Sequence, residues 1–467
     1  MLKFFKQFVI YSLGTTLAKL SSVLLLPVFT SVFTRGEYGV IATIIACKGI
    51  IDLFSNLNIH TGVARDYYTP DINRTKLVST GFMSILSFSF VIILFLLFSR
   101  NFWVSSVLHI SGYEKAFVIM LLTIPADSLY SYFAVLIRLK QKAFLFLIGN
   151  LIQLTVQIGA KLFFILYLHS GVIGVFYGLL IGQLVGIVYF FILNKEYIQF
   201  SFDKTLLNKV LLFSLPALPG IFASWINSSL GQLIIGRFAS FDDVAVYYVA
   251  LQITSAFLLI STAFGNVWMP YIFANFEKPD FKNEVTRLFN ATVIILFVVA
   301  VNISLLSKQV ILLLSNVNYI KASDYIIIMT MAMFFFILRW FATIGPNMTR
   351  KTKYISYASI TGGLINFVLM IVLIPKFGAI VAPISFMLSH IINYWISSYY
   401  TYQQTSLRFP VKNVVFVFLG MLICYLFRTM NHNEIVNIIF LVIFNIAMLY
   451  YISRKYNLAI IIKKIIP

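Results

Sequence analysis

The sequence contains few charged residues, fewer acidic ones and almost no cysteine. Only 11% of its 467 residues are charged, whereas 60% are hydrophobic and the mean hydropathy is +0.94. This composition excludes an ordinary soluble globular protein. Apolar runs extend over about 20 residues without the alternating pattern of a β-barrel, so they predict membrane-spanning α-helices.

Signatures of disulfides, metals and catalysis are equally scarce. Cys47 and Cys424 lie in separate apolar segments without a CxxC motif or a nearby His, so we predict neither a disulfide framework nor a metal site. The motifs GxxxxGK(S/T), HExxH and GxSxG do not occur. Connections between apolar runs reach about 20 residues at most, too short for a catalytic domain. We therefore predict no enzymatic activity and no cofactor.

Basic residues are the abundant charge, with 35 Lys and Arg against 15 Asp and Glu and a formal net charge of +20. In a soluble protein this excess would suggest nucleic acid as a partner. Here the basic residues gather in alternate short connections between apolar runs, the pattern of cytoplasmic loops. We therefore predict a multi-pass membrane protein with both termini in the cytoplasm and no nucleic-acid partner.

We predict about fourteen membrane spans from the apolar runs. Six precede a polar stretch, at 8–32, 38–58, 79–98, 116–137, 143–168 and 172–193. Six follow it, at 210–236, 244–274, 288–307, 324–346, 354–374 and 378–401, and two more lie at 412–428 and 435–453. The N-terminal stretch has the basic start of a signal peptide but no small-residue cleavage site, so we expect a retained first helix.

The spans predict four parts of the chain. These are an N-terminal six-helix lobe over 1–193, a cytoplasmic linker over 194–209, a C-terminal six-helix lobe over 210–403, and two extra helices with a basic tail over 404–467. An internal repeat favours the two lobes, because SGVIGVFYGLLIGQLV at 170–185 aligns with FGAIVAPISFMLSHII at 377–392. FTRGEYGVIAT at 33–43 aligns at almost the same offset with the segment that ends at Ala250. The offset spans an even number of helices, so we expect equally oriented lobes with a site between them.

Four basic residues lie inside predicted spans, namely Lys19, Lys48, Lys161 and Arg339. A cation at the bilayer centre costs about 3 kcal/mol on insertion scales, so each requires a partner, an aqueous cavity or a ligand. Lys19 lies nearest a helix end and can instead extend towards the cytoplasm.

Two acidic residues inside the spans offer ion pairs. Asp52 follows Lys48 by one turn, and Asp127 on the fourth span could reach Lys161 on the fifth. The cations still outnumber the acids, and an excess of fixed positive charge attracts an anion such as a phosphate or diphosphate.

Neutral polar residues share helical faces with these cations or with one another. The set comprises Asn56, Asn150, Gln153, Gln157, Thr343, His390 and Asn393. Amides and hydroxyls in membrane helices commonly hydrogen-bond between packed helices, and they can equally bind sugar hydroxyls. Both interpretations stay open, as does a role of His390 as a packed polar residue or a proton carrier.

LLLPVFTSVFTRGEYGV at 24–40 resembles the first-helix signature of Wzx-type polysaccharide flippases, in the multidrug/oligosaccharidyl-lipid/polysaccharide exporter superfamily. The segments at 215–254 and 373–392 resemble later helix signatures of that family, and the resemblance covers the whole chain. The chain departs from it at Gly231 and Gln232, where relatives often have an Asp followed by a basic residue. Val381 and Pro383 also break the usual small-residue run.

The resemblance implies an all-α integral membrane fold with about 14 transmembrane helices, two six-helix lobes around a central cavity and two C-terminal helices. It implies that an undecaprenyl-diphosphate-linked glycan, such as an O-antigen unit of lipopolysaccharide, moves from the cytoplasmic to the periplasmic leaflet of the bacterial inner membrane. Membrane lipid, a glycan polymerase and a chain-length regulator are the implied partners. Anion binding is assigned on this basis to Lys19, Lys48, Lys161 and Arg339, with Arg65 at the cytoplasmic mouth.

Three alternatives remain. A lipid II flippase of the same fold is poorly separated by sequence, and a drug/cation antiporter of that fold would need an acidic cavity. A membrane glycan polymerase or ligase, from a different class, usually has a large extracytoplasmic loop, and no connection here is long enough.

Overall fold

The structure, a computed structural model, describes residues 21–430 and 433–456, whose regular elements are helices. The first are α1 (Leu26–Val32), α2 (Arg35–Asn56), α3 (Ile59–Asp66), α4 (Arg74–Phe98), α5 (Glu114–Leu139), α6 (Ala143–Leu162), α7 (Val172–Asn194), α8 (Lys204–Ser214), α9 (Leu218–Phe238) and α10 (Phe241–Thr254). The others are α11 (Ala256–Asn275), α12 (Phe281–Leu305), α13 (Ser307–Leu314), α14 (Ala322–Ala342), α15 (Ile344–Met348), α16 (Lys353–Phe377), α17 (Val381–Thr405), α18 (Val411–Met430) and α19 (Glu434–Tyr456).

Twelve helical segments of the described residues are long and apolar enough to cross a membrane. They coincide with the predicted spans except the first and the twelfth. The twelfth corresponds to α17, which has 25 residues but carries many hydroxyl and amide side chains. The first begins outside the described residues, which include only its end with α1. The predicted all-α integral membrane fold is confirmed. The predicted number of about 14 transmembrane helices stays approximate.

Two predicted spans are broken helices. The seventh consists of α8 and α9, with a 3-10 turn at Leu215–Ala217 between them. Pro216 and Pro219 lie at the first positions of the helical pieces that they begin, where the backbone N–H that proline lacks is not needed. The eighth span breaks between α10 and α11 at Ser255. Proline therefore accounts for the break in the seventh span, whereas the break at Ser255 has no proline.

The repeated segments begin their helices in the same way. Thr34 caps α2 by accepting a hydrogen bond from the backbone N–H three residues later, and Ser240 does the same for α10. Gly171 precedes α7 with φ of 60°, and Gly378 precedes α17 with φ of 75°. Glycine adopts this left-handed conformation without steric cost. The matching starts support the internal repeat predicted from the alignment.

The chain packs as two compact units. One comprises the described residues up to Ala263 together with Ser359–Ser385, and the other comprises Phe264–Ala358 with the described residues from Phe386 onward. The division into lobes at 193 and 210 depends on the sequence repeat and stays a prediction.

Each unit has an aromatic core. In the first unit, Tyr132, Phe133 and Phe190 are fully buried, and the Tyr132 hydroxyl donates to the backbone carbonyl of Val78 at 2.7 Å. In the second unit, Val301 and Cys424 are buried against several phenylalanine rings. Large apolar side chains on the outer surface match a lipid environment, in which exposed Leu and Phe carry no penalty.

Candidate functional site

Lys48 lies between two carboxylates in the first unit. Its Nζ is 2.5 Å from Oδ2 of Asp52, one turn further along α2, and 2.5 Å from Oδ2 of Asp127 on α5. The lysine side chain is only 9% exposed. The group of Lys48, Asp52 and Asp127, which we call the Lys48 triad, has a formal charge of −1. The predicted pair with Asp52 is present, and Lys48 is not an uncompensated cation.

Lys161 does not pair with Asp127, so that predicted contact is wrong. Asp127 points to Lys48 instead, and no described carboxylate forms an ion pair with Lys161. The lysine lies on α6 with its stem against α7, because a Cβ added at Gly178 would be 2.4 Å from its Cγ. Lys161 therefore lies within a membrane span without a described carboxylate partner.

The polar face of α6 packs on a row of glycines in α7. Gly174, Gly178, Gly182 and Gly186 recur every four residues, and a Cβ at Gly182 would lie 2.4 Å from the Cβ of Gln157. Small residues at this spacing let two membrane helices approach closely. The four-residue spacing of these glycines is a sequence signal for the interface, beyond the polar face of α6.

The neutral residues of this face are satisfied by protein partners. Gln153 donates to Oε1 of Gln157 at 2.6 Å. Asn150 accepts a hydrogen bond from the Tyr130 hydroxyl at 2.8 Å and donates to the carbonyl of Phe146. These contacts favour the packing interpretation over sugar binding for the amides of α6.

Arg339 lies on α14 in the second unit, stacked on an aromatic ring. Its guanidinium carbon is 5.0 Å from the ring centre of Phe336, and no described carboxylate pairs with it. The imidazole of His390 packs edge-on with two rings, its centroid 5.3 Å from that of Phe336 and 4.6 Å from that of Phe386. Stacking orients the guanidinium while leaving its N–H donors for a further acceptor.

Other predicted residues of the second unit are engaged locally. The Thr343 hydroxyl donates to the carbonyl of Arg339 at 3.0 Å, within its own helix. His390 and Asn393 are 7% and 3% exposed, and Asn393 accepts a hydrogen bond from Ser397. Because both residues are buried, we assign them to the packing of α17 and not to a solvated cavity.

The remaining predicted residues are dispersed. Arg65 is 59% exposed, 3.9 Å from Asp66, and stacked 4.4 Å from the ring of Phe213. Asn56 accepts from the backbone N–H of Asn58, in the turn that ends α2, and so serves that turn. Lys19 lies outside the described residues.

His60 lies on α3, the helix that also carries Arg65, and adds no positive charge there. Burial, together with the neighbouring Arg138, lowers the pKa of His60, so the imidazole stays neutral at physiological pH.

The starts of the repeat-related helices α2 and α10 pack against each other. A Cβ at Gly39 would lie 1.9 Å from the carbonyl oxygen of Phe241, so only glycine permits this crossing. Arg35 of α2 forms an ion pair with Asp242 of α10 at 3.0 Å, with both side chains about half exposed. The alignment predicted that the two segments are related by a repeat, but it did not predict that they contact each other.

Comparisons with known proteins identify a family and several similar folds. A family model described as polysaccharide biosynthesis protein matches residues 28–324. No curated protein sequence matches the chain. Among solved structures, the fold is similar to that of the lipid II flippase MurJ in an inward closed conformation, with a TM-score of 0.79 and 16% identity over 97% of this chain and 100% of that chain.

Multidrug transporters share the fold less completely. An inward-facing multidrug resistance MATE family transporter of the MOP superfamily matches with a TM-score of 0.66 and 14% identity, over 84% of this chain and 98% of that one. A MATE transporter of Vibrio cholerae matches with a TM-score of 0.57 and 12% identity, over 86% and 95%. At these identities the likeness shows a shared fold.

Proposed function

Because the chain belongs to the polysaccharide biosynthesis protein family, we propose that it is a flippase for undecaprenyl-diphosphate-linked oligosaccharide repeat units. These units belong to O-antigen or a related surface polysaccharide and move from the cytoplasmic to the periplasmic leaflet of a bacterial inner membrane. The chain is a multi-pass membrane protein with an exporter fold. In this proposal both termini lie in the cytoplasm, as the distribution of basic residues favours.

The observation that carries the proposal is a pair of membrane-embedded cations, Lys161 and Arg339, without a carboxylate partner among the described residues. Each such charge costs about 3 kcal/mol on insertion scales, and an anionic ligand offsets that cost. Arg339 offers a planar set of donors that suits a diphosphate, whereas Lys161 offers a point charge. In this proposal Lys19, which lies outside the described residues, also binds the anion, and Arg65 lies at the cytoplasmic mouth.

Transport proceeds by alternating access. The diphosphate and first sugars enter a cationic cavity while the polyprenyl tail stays in the bilayer, and the protein changes between two arrangements of similar energy. The ligand shifts this equilibrium only through contacts that differ between the two arrangements. Stacked on Phe336 without a carboxylate partner, Arg339 is the residue that we expect to make such contacts.

Lys48 has a different part in this proposal, because two carboxylates already neutralise it. The Lys48 triad balances charge inside the first unit and does not hold the diphosphate. Its extra negative charge also favours a second candidate, a cation-coupled exporter of the same fold. A pH or sodium gradient that drives export in the wild type but not in an Asp127→Asn variant would support that candidate.

The test uses a strain that lacks the chromosomal gene and carries Lys161→Gln or Arg339→Gln variants at matched expression. We expect intact lipid-linked repeat units to accumulate on the cytoplasmic leaflet, because each change removes one anion contact. Short, unpolymerised units reaching the outer surface of the gene-deleted strain would indicate a polymerase instead.

Matched controls remove the same charge elsewhere. Lys376→Gln and Arg100→Gln change exposed cations near helix ends, and we expect both to export normally. If Lys161→Gln and Arg339→Gln also export normally, anion binding by these residues is wrong.

A further inference from the structure

A concave pocket of about 290 Å³ lies where α17 turns into α18 in the second unit. Its wall includes Tyr394, Trp395, Tyr399 and Tyr402 of α17, and the connection contributes Arg408. Its volume is at the small end of ligand cavities and matches one sugar ring with a phosphate rather than an oligosaccharide. None of its residues was singled out by the sequence analysis.

Arg408 is held in place at this pocket by an aromatic ring. Its guanidinium carbon lies 4.6 Å from the ring centre of Tyr402, and the guanidinium donates to the Tyr402 hydroxyl. Ser406 has φ of 55°, so the chain turns sharply after α17, burying Leu407 and exposing Arg408. No described carboxylate pairs with Arg408. The guanidinium is therefore pre-oriented, with donors left for an anion.

The aromatic wall has both buried and open members. Tyr394 is 1% exposed and packs edge-on against Trp395 at 5.1 Å, which anchors the wall. Tyr399 is 56% exposed, which leaves its ring accessible to a ligand, whereas Tyr402 is 40% exposed and has Arg408 over its ring. The Tyr399 hydroxyl accepts from Gln403 at 2.6 Å, which fixes the direction of the ring. An aromatic face offers the apolar C–H face of a sugar a flat, weakly negative surface.

We propose that this aromatic pocket binds the phosphorylated sugar of the lipid-linked glycan before transport, with Arg408 on the phosphate and Tyr399 against the sugar ring. The inference rests on the proposed function, because that function supplies a sugar phosphate tethered to the bilayer. The pocket lies at the end of the helices that carries Lys412, which the charge pattern assigns to the cytoplasm, where the substrate is made.

Anchoring in the lipid interface is the competing explanation, because Tyr and Trp commonly gather at membrane boundaries. An interfacial belt requires only outward-facing rings. The pocket adds a concave wall and an arginine without a described carboxylate partner, which a belt does not need. The two explanations differ in the ligand that they predict.

Trp395 allows a direct binding experiment, since it lines the pocket and the chain has only 5 tryptophans. The full chain in detergent is titrated with N-acetylglucosamine 1-phosphate while tryptophan fluorescence is recorded. We expect saturable quenching that disappears in a Trp395→Phe variant. We expect Arg408→Gln to weaken binding about tenfold, as loss of a charge-assisted hydrogen bond to phosphate does.

Two further variants separate pocket chemistry from folding. Arg74→Gln is the matched control, because Arg74 is likewise stacked on a tyrosine, 5.4 Å from the ring of Tyr67, and we expect unchanged quenching. Tyr399→Ser removes the ring proposed to pack against the sugar and should bind several-fold more weakly. Equal affinity in Arg408→Gln and wild type, at equal melting temperature, overturns the proposal.

The source of the phosphate is tested in lipid. If Trp395 responds to phosphatidylglycerol nanodiscs and not to the sugar phosphate, the pocket is a lipid anchor and the proposal is wrong. The proposed function fails separately, since normal export in the gene-deleted strain refutes the flippase even if the purified chain binds the sugar phosphate. An export defect in that strain, without sugar-phosphate binding by the purified chain, refutes only the pocket.

Discussion

Replacing Lys48 by methionine should destabilise the first unit strongly, because it leaves Asp52 and Asp127 without their shared cation. Coulomb's law gives about 7 kcal/mol for each contact at 2.5 Å with an effective dielectric constant of about 20. Desolvation of the three charges opposes most of this attraction. Removing one member of a buried pair nevertheless costs about 3–5 kcal/mol, because the remaining charge stays buried.

The assay is the fraction of monomeric protein that survives heating in detergent, read by size-exclusion chromatography. We expect the midpoint of Lys48→Met to fall by several degrees. Arg35→Met is the control, because Arg35 pairs with Asp242 at 3.0 Å and both side chains are about half exposed. An exposed pair contributes about 0–1 kcal/mol, so this control should change little.

A triple variant with an uncharged triad completes the comparison. Combining Lys48→Met with Asp52→Asn and Asp127→Asn removes all three charges, and replacing a buried charged group by neutral side chains is often close to neutral in stability. We expect most of the lost stability to return. Equal midpoints for Lys48→Met and Arg35→Met, or no recovery in the triple variant, would refute the reasoning.

The remaining predictions concern glycines at helix crossings. Gly39→Ala should lower the heating midpoint markedly and reduce export, because its Cβ would overlap the carbonyl of Phe241. Gly182→Ala should cost about 1–3 kcal/mol by forcing α7 away from Gln157 on α6. Gly159→Ala has open space around its Cβ, and it should stabilise α6 by up to about 1 kcal/mol. The same heating assay ranks the three variants, and a Gly39→Ala protein as stable as Gly159→Ala would show that the crossing is loose.

The local sequence pattern predicted most of the helices correctly. Long apolar runs predicted the spans that the structure shows, and Pro216 lies in the 3-10 turn between α8 and α9. Thr34 and Ser240 are N-cap residues that mark helix starts in sequence, and both begin repeat-related helices. These features depend on residues within about one turn of each other, which is why the sequence reveals them.

Contacts between helices were predicted less well. The Lys48–Asp52 pair lies on one helix and was expected, whereas Asp127 was expected near Lys161 and contacts Lys48, 79 residues away. The aromatic pocket was missed because Arg408 and Tyr402 meet only after the chain turns at Ser406. Residue spacing gives the face on which a side chain lies, but not the rotation of one helix against another.

Composition and apolar periodicity were enough to predict a helical membrane protein with cations in its spans, and they favour an internal repeat. Which of those cations lie beside a carboxylate depends on tertiary contacts. The packing of α2 against α5 places Asp127 on Lys48 and leaves Lys161 and Arg339 without a described carboxylate. Charge compensation acts over a few ångströms between distant residues, and a periodic pattern along one helix cannot specify it.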